Sequence, residues 1–477
     1  MSGRTLADTA DLAGRRVLLL NWRDRRHPRA GGAEVYVHEV ATRLAAAGAA
    51  VTVFTAAHPG AAPEEEDAGV RVVRRGGTFG VYLAAALFLL RNRRRFDVVL
   101  DFQNGIPFFA SLFASRRTAV VLVVHHVHQD QFLLHFPWPA SRVGQVLEGP
   151  VSRVVYGRRP VVAVSPSTRH DVRRRLRLRG PIHVVPNGLA SPVRDVDRAP
   201  DEAPRVVVVS RLVSHKRFHL LVEAVPRLLP RWPGLQVDIA GDGPERAQLQ
   251  RLVDQRGLGD RVRLHGFVSA AFREELLERA WLTVSPSQNE GWGLTVVEAN
   301  AAGVPAVAFA VPGLKDSVVD GRTGWLVPPE GDLADGIDRA LIHVSDPAAA
   351  RAVAEECRRW ASRFSWDATA ERLAAVALGE LDRVRHLPRS RRAATDLAAR
   401  VDLLADPAVP AEDVAATVRA RLRRSDQVSV ASGAVRLVLP GCDEAGAELV
   451  VARLDGCADV AGIGLATPSE LLVGAGG

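Results

Sequence analysis

The sequence predicts an α/β protein: two Rossmann-like domains facing one cleft, followed by a small C-terminal α+β module. Short β-branched runs alternate with helix-length amphipathic stretches over most of the chain, the rhythm of parallel sheets covered on both faces. A stretch with three prolines and no apolar periodicity, residues 189–204 (LASPVRDVDRAPDEAP), interrupts that rhythm, which then restarts. A chain of 477 residues also exceeds what one ordinary hydrophobic core supports. The expected boundaries are 1–188 for the first domain, 189–204 for the linker, 205–385 for the second domain with its closing helices, and 393–477 for the module.

In the first domain, Arg16–Asn21, Ala50–Thr55, Asp97–Asp101, Ala119–Val124 and Val161–Val164 read as buried strands, with Ala33–Ala47 and Pro166–Leu178 as helices. In the second, the strands are Arg205–Ser210, Leu235–Ala240, Val262–Leu264, Trp281–Ser285, Pro305–Phe309 and Gly324–Val327. Helices are expected at Lys216–Leu229 and Pro244–Gln255, and a last helical zone over Asp346–Arg385, where Ser365 or Asp367 can cap the helix after Phe364. Arg385–Arg392 (RHLPRSRR) reads as an exposed basic linker. Two such domains joined by one linker place the ligand-binding ends of both sheets toward a shared cleft.

Composition narrows the classes. Hydrophobic residues at 47% and charged residues at 24% describe a folded protein rather than a disordered one. Residues 1–203 hold 29 arginines and no lysine against 18 acidic residues, a surplus of 11 in a chain whose net charge is +8. That half suits an anionic partner such as a phosphorylated substrate, acidic lipid or nucleic acid; arginine-rich codon usage would produce the same surplus. The chain lacks the aromatic–basic interleaving of nucleic-acid binders, so no nucleic-acid partner is expected. Cys357, Cys442 and Cys457 form no C-x-x-C pair and no metal spacing, which fits a reducing cytoplasm. Residues 1–16 do not read as a signal peptide, and the longest apolar run, Val81–Leu90, is about half a membrane span.

The most specific chemical signal is Asn289-Glu290-Gly291-Trp292-Gly293-Leu294-Thr295-Val296-Val297-Glu298. Gly291 and Gly293 let backbone approach a ligand, and free N–H groups at a helix starting near Leu294 suit phosphate or sugar oxygens. Glu298 falls one to two turns into that helix. In Ser210-Arg211-Leu212-Val213-Ser214-His215-Lys216, Arg211 and Lys216 follow a strand, where two cations can clamp a pyrophosphate. Lys216 and Lys315 are the chain's two lysines. Gly31-Gly32 before a helix is a second phosphate-approach device, although not a dinucleotide fingerprint. His125-His126-Val127-His128 follows a strand; alternation points His125 and His126 to opposite sides, which argues against a metal cluster.

Glu290 and Glu298, with seven residues between them around a glycine turn, resemble the E-x7-E motif of family-4 (group 1) glycosyltransferases. Val185-Pro186-Asn187-Gly188, Ala240-Gly241-Asp242-Gly243-Pro244-Glu245, Val262–Val268 (VRLHGFV) and Gly303-Val304-Pro305 add to the likeness over roughly residues 14–383. Leu189-Ala190 departs from it at a position where that family commonly has Asp. The resemblance implies a GT-B fold and retaining transfer of a sugar from a nucleotide-diphosphate sugar. It implies that Glu290 contacts the donor sugar, Glu298 the ribose hydroxyls, and His125, with His126 close behind, the donor sugar and acceptor. Catalysis then falls to Glu290, His125, Arg211 and Lys216. Donor binding falls to Gly31, Gly32, Arg211, Lys216, Glu290, Gly291, Trp292, Gly293, Leu294 and Glu298, with the base near His265–Val268.

No cofactor or metal is expected, since the cations and helix N-termini supply the positive field. Asp195-Val196-Asp197 mimics a metal motif but lies in the linker. The acceptor is open: a sugar, or a lipid-linked or phosphorylated cell-envelope precursor. Val81–Leu90 followed by Arg91–Arg95 (RNRRR) resembles a membrane-surface element, so a cytoplasmic protein peripheral on the inner membrane face fits; an ordinary buried helix with a solvated end fits as well. The alternatives are a sugar-nucleotide epimerase or hydrolase of the same fold, or a regulatory binding protein. The tail, with its strand-turn-strand before Glu444–Leu454, resembles the middle of a GGDEF domain with Ala431-Ser432-Gly433-Ala434-Val435 at the signature. This reads as a degenerate ferredoxin-like accessory module.

Overall fold

The computed structural model describes residues 12–189, 193, 200–386, 398–404, 409–423, 426–431, 434–440, 442, 444–454 and 459–466. Asp195, Asp197, Cys457 and most of both linkers lie outside these. The chain divides into two units, Met1–Val185 with Thr369–Gly477, and Pro186–Ala368.

The first unit is built on an eight-stranded sheet of order β3-β4-β2-β1-β5-β6-β7-β8. Its strands are β1 (Arg16–Leu20), β2 (Ala50–Thr55), β3 (Glu64–Asp67), β4 (Val70–Arg74), β5 (Val98–Gln103), β6 (Ala119–Val124), β7 (Val161–Ala163) and β8 (Ile182–Val184). All neighbours are parallel except β3 and β4. Every residue of β5 and β6 is buried, as parallel strands covered on both faces require. The covering helices are α1 (Gly32–Ala46), α2 (Val81–Arg91), α3 (Ala110–Phe113), α4 (Gln129–His135), α5 (Ala140–Val146), α6 (Ser152–Tyr156) and α7 (Pro166–Asp171). A π-helical turn, Leu147–Val151, joins α5 to α6. The helix expected over Pro166–Leu178 changes to π geometry at Val172–Leu176 and ends at left-handed Arg177. Strand order reverses between β1 and β5, the switch point outside which open α/β sheets bind ligands.

Three strands of this sheet, β3, β4 and β8, escaped the sequence reading. β3 is four consecutive acids with no apolar alternation, and cross-strand charge holds it: Glu64 accepts from Arg71 at 2.8 Å, and Glu65 from Arg74 at 2.6 Å. Arg74 is 2% exposed, bound also by Asp24 and by the Ala62 carbonyl. β8, three residues long, is too short for its pattern to stand out.

The second unit has two three-stranded parallel sheets, β11-β10-β9 and β12-β13-β14, joined by a parallel bridge between Val206 and Leu282. The strands are β9 (Arg205–Val209), β10 (Gln236–Ala240), β11 (Val262–Gly266), β12 (Thr283–Ser285), β13 (Ala306–Phe309) and β14 (Gly324–Val327). Read through the bridge, the order is the Rossmann order, with its reversal between β9 and β12. Helices α8 (Phe218–Leu228), α9 (Arg246–Gln255), α10 (Ala270–Arg279), α11 (Leu294–Ala301), α12 (Leu314–Ser317), α13 (Leu333–Val344) and α14 (Pro347–Ala361) accompany them. The helix expected from Lys216 is broken: Ser214–Lys216 is a 3-10 turn, Arg217 is left-handed at φ 51°, and α8 begins at Phe218. Ser269, Asp332 and Asp346 cap α10, α13 and α14 with their side chains. Ser365, not Asp367, accepts the Ala368 N–H at the start of α15 (Trp366–His386).

The C-terminal module runs β15 (Ala398–Leu404), α16 (Ala411–Arg419), β16 (Gln427–Ala431), β17 (Ala434–Pro440), α17 (Glu444–Arg453) and β18 (Asp459–Leu465). Its sheet, β16-β17-β15-β18, is antiparallel throughout, the βαββαβ ferredoxin-like arrangement. Alternate residues Ala399, Val401, Leu403, Val435, Leu437 and Leu439 pack with Val414, Val418, Ala447 and Leu454 in its core. Ser432 and Gly433, in the hairpin compared with the GGDEF signature, lie outside the described residues.

Arg74→Leu leaves Asp24 and Glu65 without their buried cation, so the unfolding free energy drops by about 3–5 kcal/mol. Arg71→Gln, an exposed pair on the same strand, changes it by less than about 1 kcal/mol. Urea titration of both variants measures the contrast.

Candidate functional site

In the second unit, the loops after β9 and β12 meet at the switch point. Lys216 Nζ donates to Glu290 Oε1 at 2.5 Å, and Ser287 Oγ donates to the same oxygen at 2.7 Å. Both side chains of the ion pair are largely buried. Burial pushes the Glu290 carboxyl up, but the Lys216 charge, with hydrogen bonds from Lys216 and Ser287, outweighs it and holds the group below the ordinary glutamate range. Glu290 is therefore an anion at neutral pH.

The surrounding loop is pinned by backbone contacts. Arg217 Nε donates to the Pro286 carbonyl at 2.9 Å and its Nη2 to Ser287 O at 3.2 Å, while its guanidinium lies 4.8 Å over the Phe309 ring. Gln288 N–H donates to His215 O at 2.8 Å. Gly313 is left-handed, and a Cβ there would lie 2.3 Å from Glu290 O, so the chain passes too closely for any side chain.

Arg211 is exposed, and its guanidinium has no hydrogen-bond or ion-pair partner among the described residues. Gly291 precedes Trp292, which is 5% exposed and packs its ring edge-on against Phe364 at 5.0 Å. The Trp292 ring thus faces inward, and its backbone precedes the helix start. Gly293, at φ 87°, caps α11, whose first N–H groups at Leu294 and Thr295 have no intrahelical acceptor. Glu298 is half-buried, with no hydrogen-bond partner among the described residues. Burial raises its pKa, and the Arg273 charge opposes that only in part. The two carboxylates are thus driven in opposite directions, Glu290 toward the anion and Glu298 toward the acid.

The loops after β10 and β11 lock onto the one after β9. A Cβ at Gly241 would lie 1.8 Å from Ser210 O, and one at Gly243 2.3 Å from Leu212 O. Gly241 N–H donates to Gly266 O at 2.7 Å, and Leu212 N–H to Asp242 O at 2.9 Å. His265 is turned into the sheet, Nε2 lying 2.6 Å from Asp238 Oδ1, and Asp238 is also bound by Arg205. Two residues on, Phe267 is 89% exposed.

In the first unit, a side-chain contact links the loops after β1 and β5: Asn104 Nδ2 donates to Asn21 Oδ1 at 3.2 Å. Gly31 begins α1 in extended conformation, its N–H donated to Glu34 Oε2 at 2.7 Å; Gly32 is the first helical residue. His125 is buried, stacked on Phe102 at 5.8 Å and edge-on to Tyr36 at 5.1 Å, with no hydrogen-bond partner at Nε2 among the described residues. Burial, helped by the nearby His128, pushes its pKa down to about 3, so the ring is neutral. His126 is half-buried, its ring 5.2 Å from that of His128. Glu148, fully buried in the π turn, accepts from His128 N–H at 2.6 Å, Gln129 Nε2 at 2.7 Å and Gln103 Nε2 at 3.0 Å, which fixes the histidine loop. Asp101 accepts from Phe108 N–H, Ala110 N–H and Tyr156 Oη; burial raises its pKa to about 6.

Sequence reasoning missed Ser287, Arg217, Glu148, Asp101 and the Asn21–Asn104 pair. Asp101 alone left a trace, as a charge inside an otherwise apolar strand. Among the described residues, no three His, Cys, Asp or Glu side chains come together as a metal site, and no helix is long and apolar enough to cross a membrane.

Comparison with known proteins follows the same division. Residues 30–190 match the family described as Glycosyltransferase Family 4, and residues 192–360 the one described as Glycosyl transferases group 1. The chain is 31% identical over 383 residues to D-inositol 3-phosphate glycosyltransferase of Xylanimonas cellulosilytica, covering 72% of this chain and 90% of that enzyme. It is 29% identical over 331 residues to alpha-D-kanosaminyltransferase of Streptomyces kanamyceticus, covering 63% of this chain and 84% of that enzyme. Among solved structures, sucrose-phosphate synthase of Thermosynechococcus elongatus superposes with a TM-score of 0.62 at 23% identity, covering 75% of this chain and 96% of that one.

A buried neutral imidazole must charge on unfolding, so His125 contributes stability above pH 6.5 that is lost as pH falls from about 6.5 toward 3. His125→Phe is expected to flatten that part of the pH–stability curve. Denaturant titrations of both proteins across the interval read it.

Proposed function

Because this chain belongs to the group 1 glycosyltransferases of family 4 and has their GT-B fold, we propose that it transfers a sugar, with retention of configuration, from a nucleotide-diphosphate sugar bound at the switch point of its second unit. The Lys216–Glu290 pair carries this reading. It holds a cation and an ionised carboxylate on two loops that a Rossmann order brings together, where such sheets bind nucleotides.

Arg211, exposed and without a side-chain partner, is assigned to the diphosphate together with Lys216 and the N–H groups opening α11. Glu298 is assigned to the ribose hydroxyls, since a desolvated carboxylate with no competing partner gains most from two hydroxyl donors. As the bond from the anomeric carbon to the diphosphate breaks, its electron pair leaves on the phosphate oxygen, and the fixed cations stabilise that charge. Glu290 Oε1 is engaged by Lys216 and Ser287, which favours a positioning role over attack on the sugar. The acceptor hydroxyl would then enter on the face the leaving group vacates and lose its proton to the departing phosphate. No metal is assigned to this step.

The acceptor is assigned to the first unit, near His125, whose ring is neutral and whose Nε2 has no hydrogen-bond partner among the described residues. Its class is a phosphorylated or lipid-linked sugar or polyol. The arginine surplus of residues 1–203 supports this, as does the phosphorylated inositol in the name of the Xylanimonas relative. The protein is assigned to the cytoplasm.

A panel of UDP-, GDP-, ADP- and TDP-sugars, assayed for binding and slow hydrolysis, is expected to yield one preferred donor. Arg211→Ala and Glu298→Ala should each lower the rate with it by about 100- to 1,000-fold. Retention appears as unchanged anomeric configuration of the first-formed product by NMR. Donor binding that survives both substitutions refutes the site.

A further inference from the structure

We propose that the first unit carries a docking face for an anionic lipid bilayer, built by α2, α3 and α6. Helix α2 bears no charge before Arg91 and is apolar on both sides. One side packs into the sheet through Val81, Ala85 and Leu89; the other presents Leu83, Leu87 and Leu90 to solvent, with Phe79 just ahead of the helix and 74% exposed. A helix apolar all round needs a second apolar environment. The neighbouring helices extend the same chemistry: α3 packs against α2 and exposes Leu112, while α6 packs against α3 and exposes Val154, 83% accessible.

Charge selects the occupant. Eight exposed arginines lie in these segments: Arg91, Arg93, Arg94, Arg95, Arg116, Arg117, Arg153 and Arg158. None of them is ion-paired among the described residues, whereas many arginines elsewhere in the chain are paired with acids. Residues 77–96, 104–118 and 149–159 contain no acid at all. An apolar ridge flanked by unneutralised cations matches an interface where leucines enter the acyl boundary and guanidinium groups meet phosphate headgroups. A second copy of this chain fits poorly, because a two-fold contact would set the arginines of one molecule against those of the other. The inference is independent of the donor assignment, since no residue of the face belongs to either switch point.

The test is sedimentation of the full chain with phosphatidylcholine vesicles, with and without phosphatidylglycerol, at low and high salt. Three proteins are compared: wild type, Leu83→Asp with Leu87→Asp, and Arg93→Gln with Arg94→Gln and Arg95→Gln. Circular dichroism and donor binding serve as the check on folding. Wild type is expected to sediment with the anionic vesicles alone and to be released by salt. The leucine variant should lose more than about tenfold in partitioning, and the arginine variant about 100-fold, with folding and donor binding unchanged. Failure of wild type to bind anionic vesicles overturns the proposal, as does equal binding by the leucine variant. A wild-type dimer in light scattering that the leucine substitutions dissolve, without vesicle binding, assigns the face to a second copy instead.

Discussion

One ion pair organises the second unit. Lys216 and Glu290 are 74 positions apart in sequence, yet they share a largely buried contact because β9 and β12 are neighbours at the point where strand order reverses. A buried pair of this kind is costly to break from one side, so each loop holds the other in place. Around it, the chain has removed its own freedom: Arg217 ties two carbonyls of the β12 loop, and Gly241, Gly243 and Gly313 allow backbone contacts that admit no side chain. The result is a closely tied rim on which Arg211 is exposed and, among the described residues, has no side-chain partner. Preorganisation of this sort places charge before a ligand arrives, so little reorganisation is needed when negative charge develops.

The first unit solves the same problem with neutral partners and buried acids. Its switch is bridged by two asparagines, and its histidine loop hangs on Glu148, a carboxylate with three hydrogen-bond donors and no solvent contact. Asp101 plays the corresponding part after β5 by gathering two backbone N–H groups and a tyrosine hydroxyl. Each of these acids fixes a loop at the carboxyl end of a strand, where ligands are received, and each is satisfied from several directions, as burial demands.

Much of this was legible in the sequence, for identifiable reasons. β2 and β6 fall at the bounds expected from their β-branched runs, since strands buried on both faces carry an unbroken apolar signal. Arg211, Lys216, Glu290 and Glu298 stand out because charge at strand ends and glycine turns is locally encoded. The ion pair between Lys216 and Glu290, and the opposite directions in which the two carboxyl groups are shifted, depend on strand order and burial, which no window of sequence contains. The inward packing of Trp292 was equally illegible, because the Phe364 ring that it meets lies far along the chain. β3 was invisible because its partners are charges on β4 rather than an apolar face.

That acidic strand also limits how far the sheet can grow. An open edge offers unpaired backbone groups to any passing strand, and β4 alone would present a β-branched one. With Glu64, Glu65, Glu66 and Asp67 in place, the outermost strand carries four like charges, partly neutralised by Arg71 and Arg74 of β4 and by Arg75 just after it. A second molecule arriving in register would meet repulsion without those compensating cations. The sheet is self-terminating on that side, which guards a chain this rich in valine against templated polymerisation while it folds.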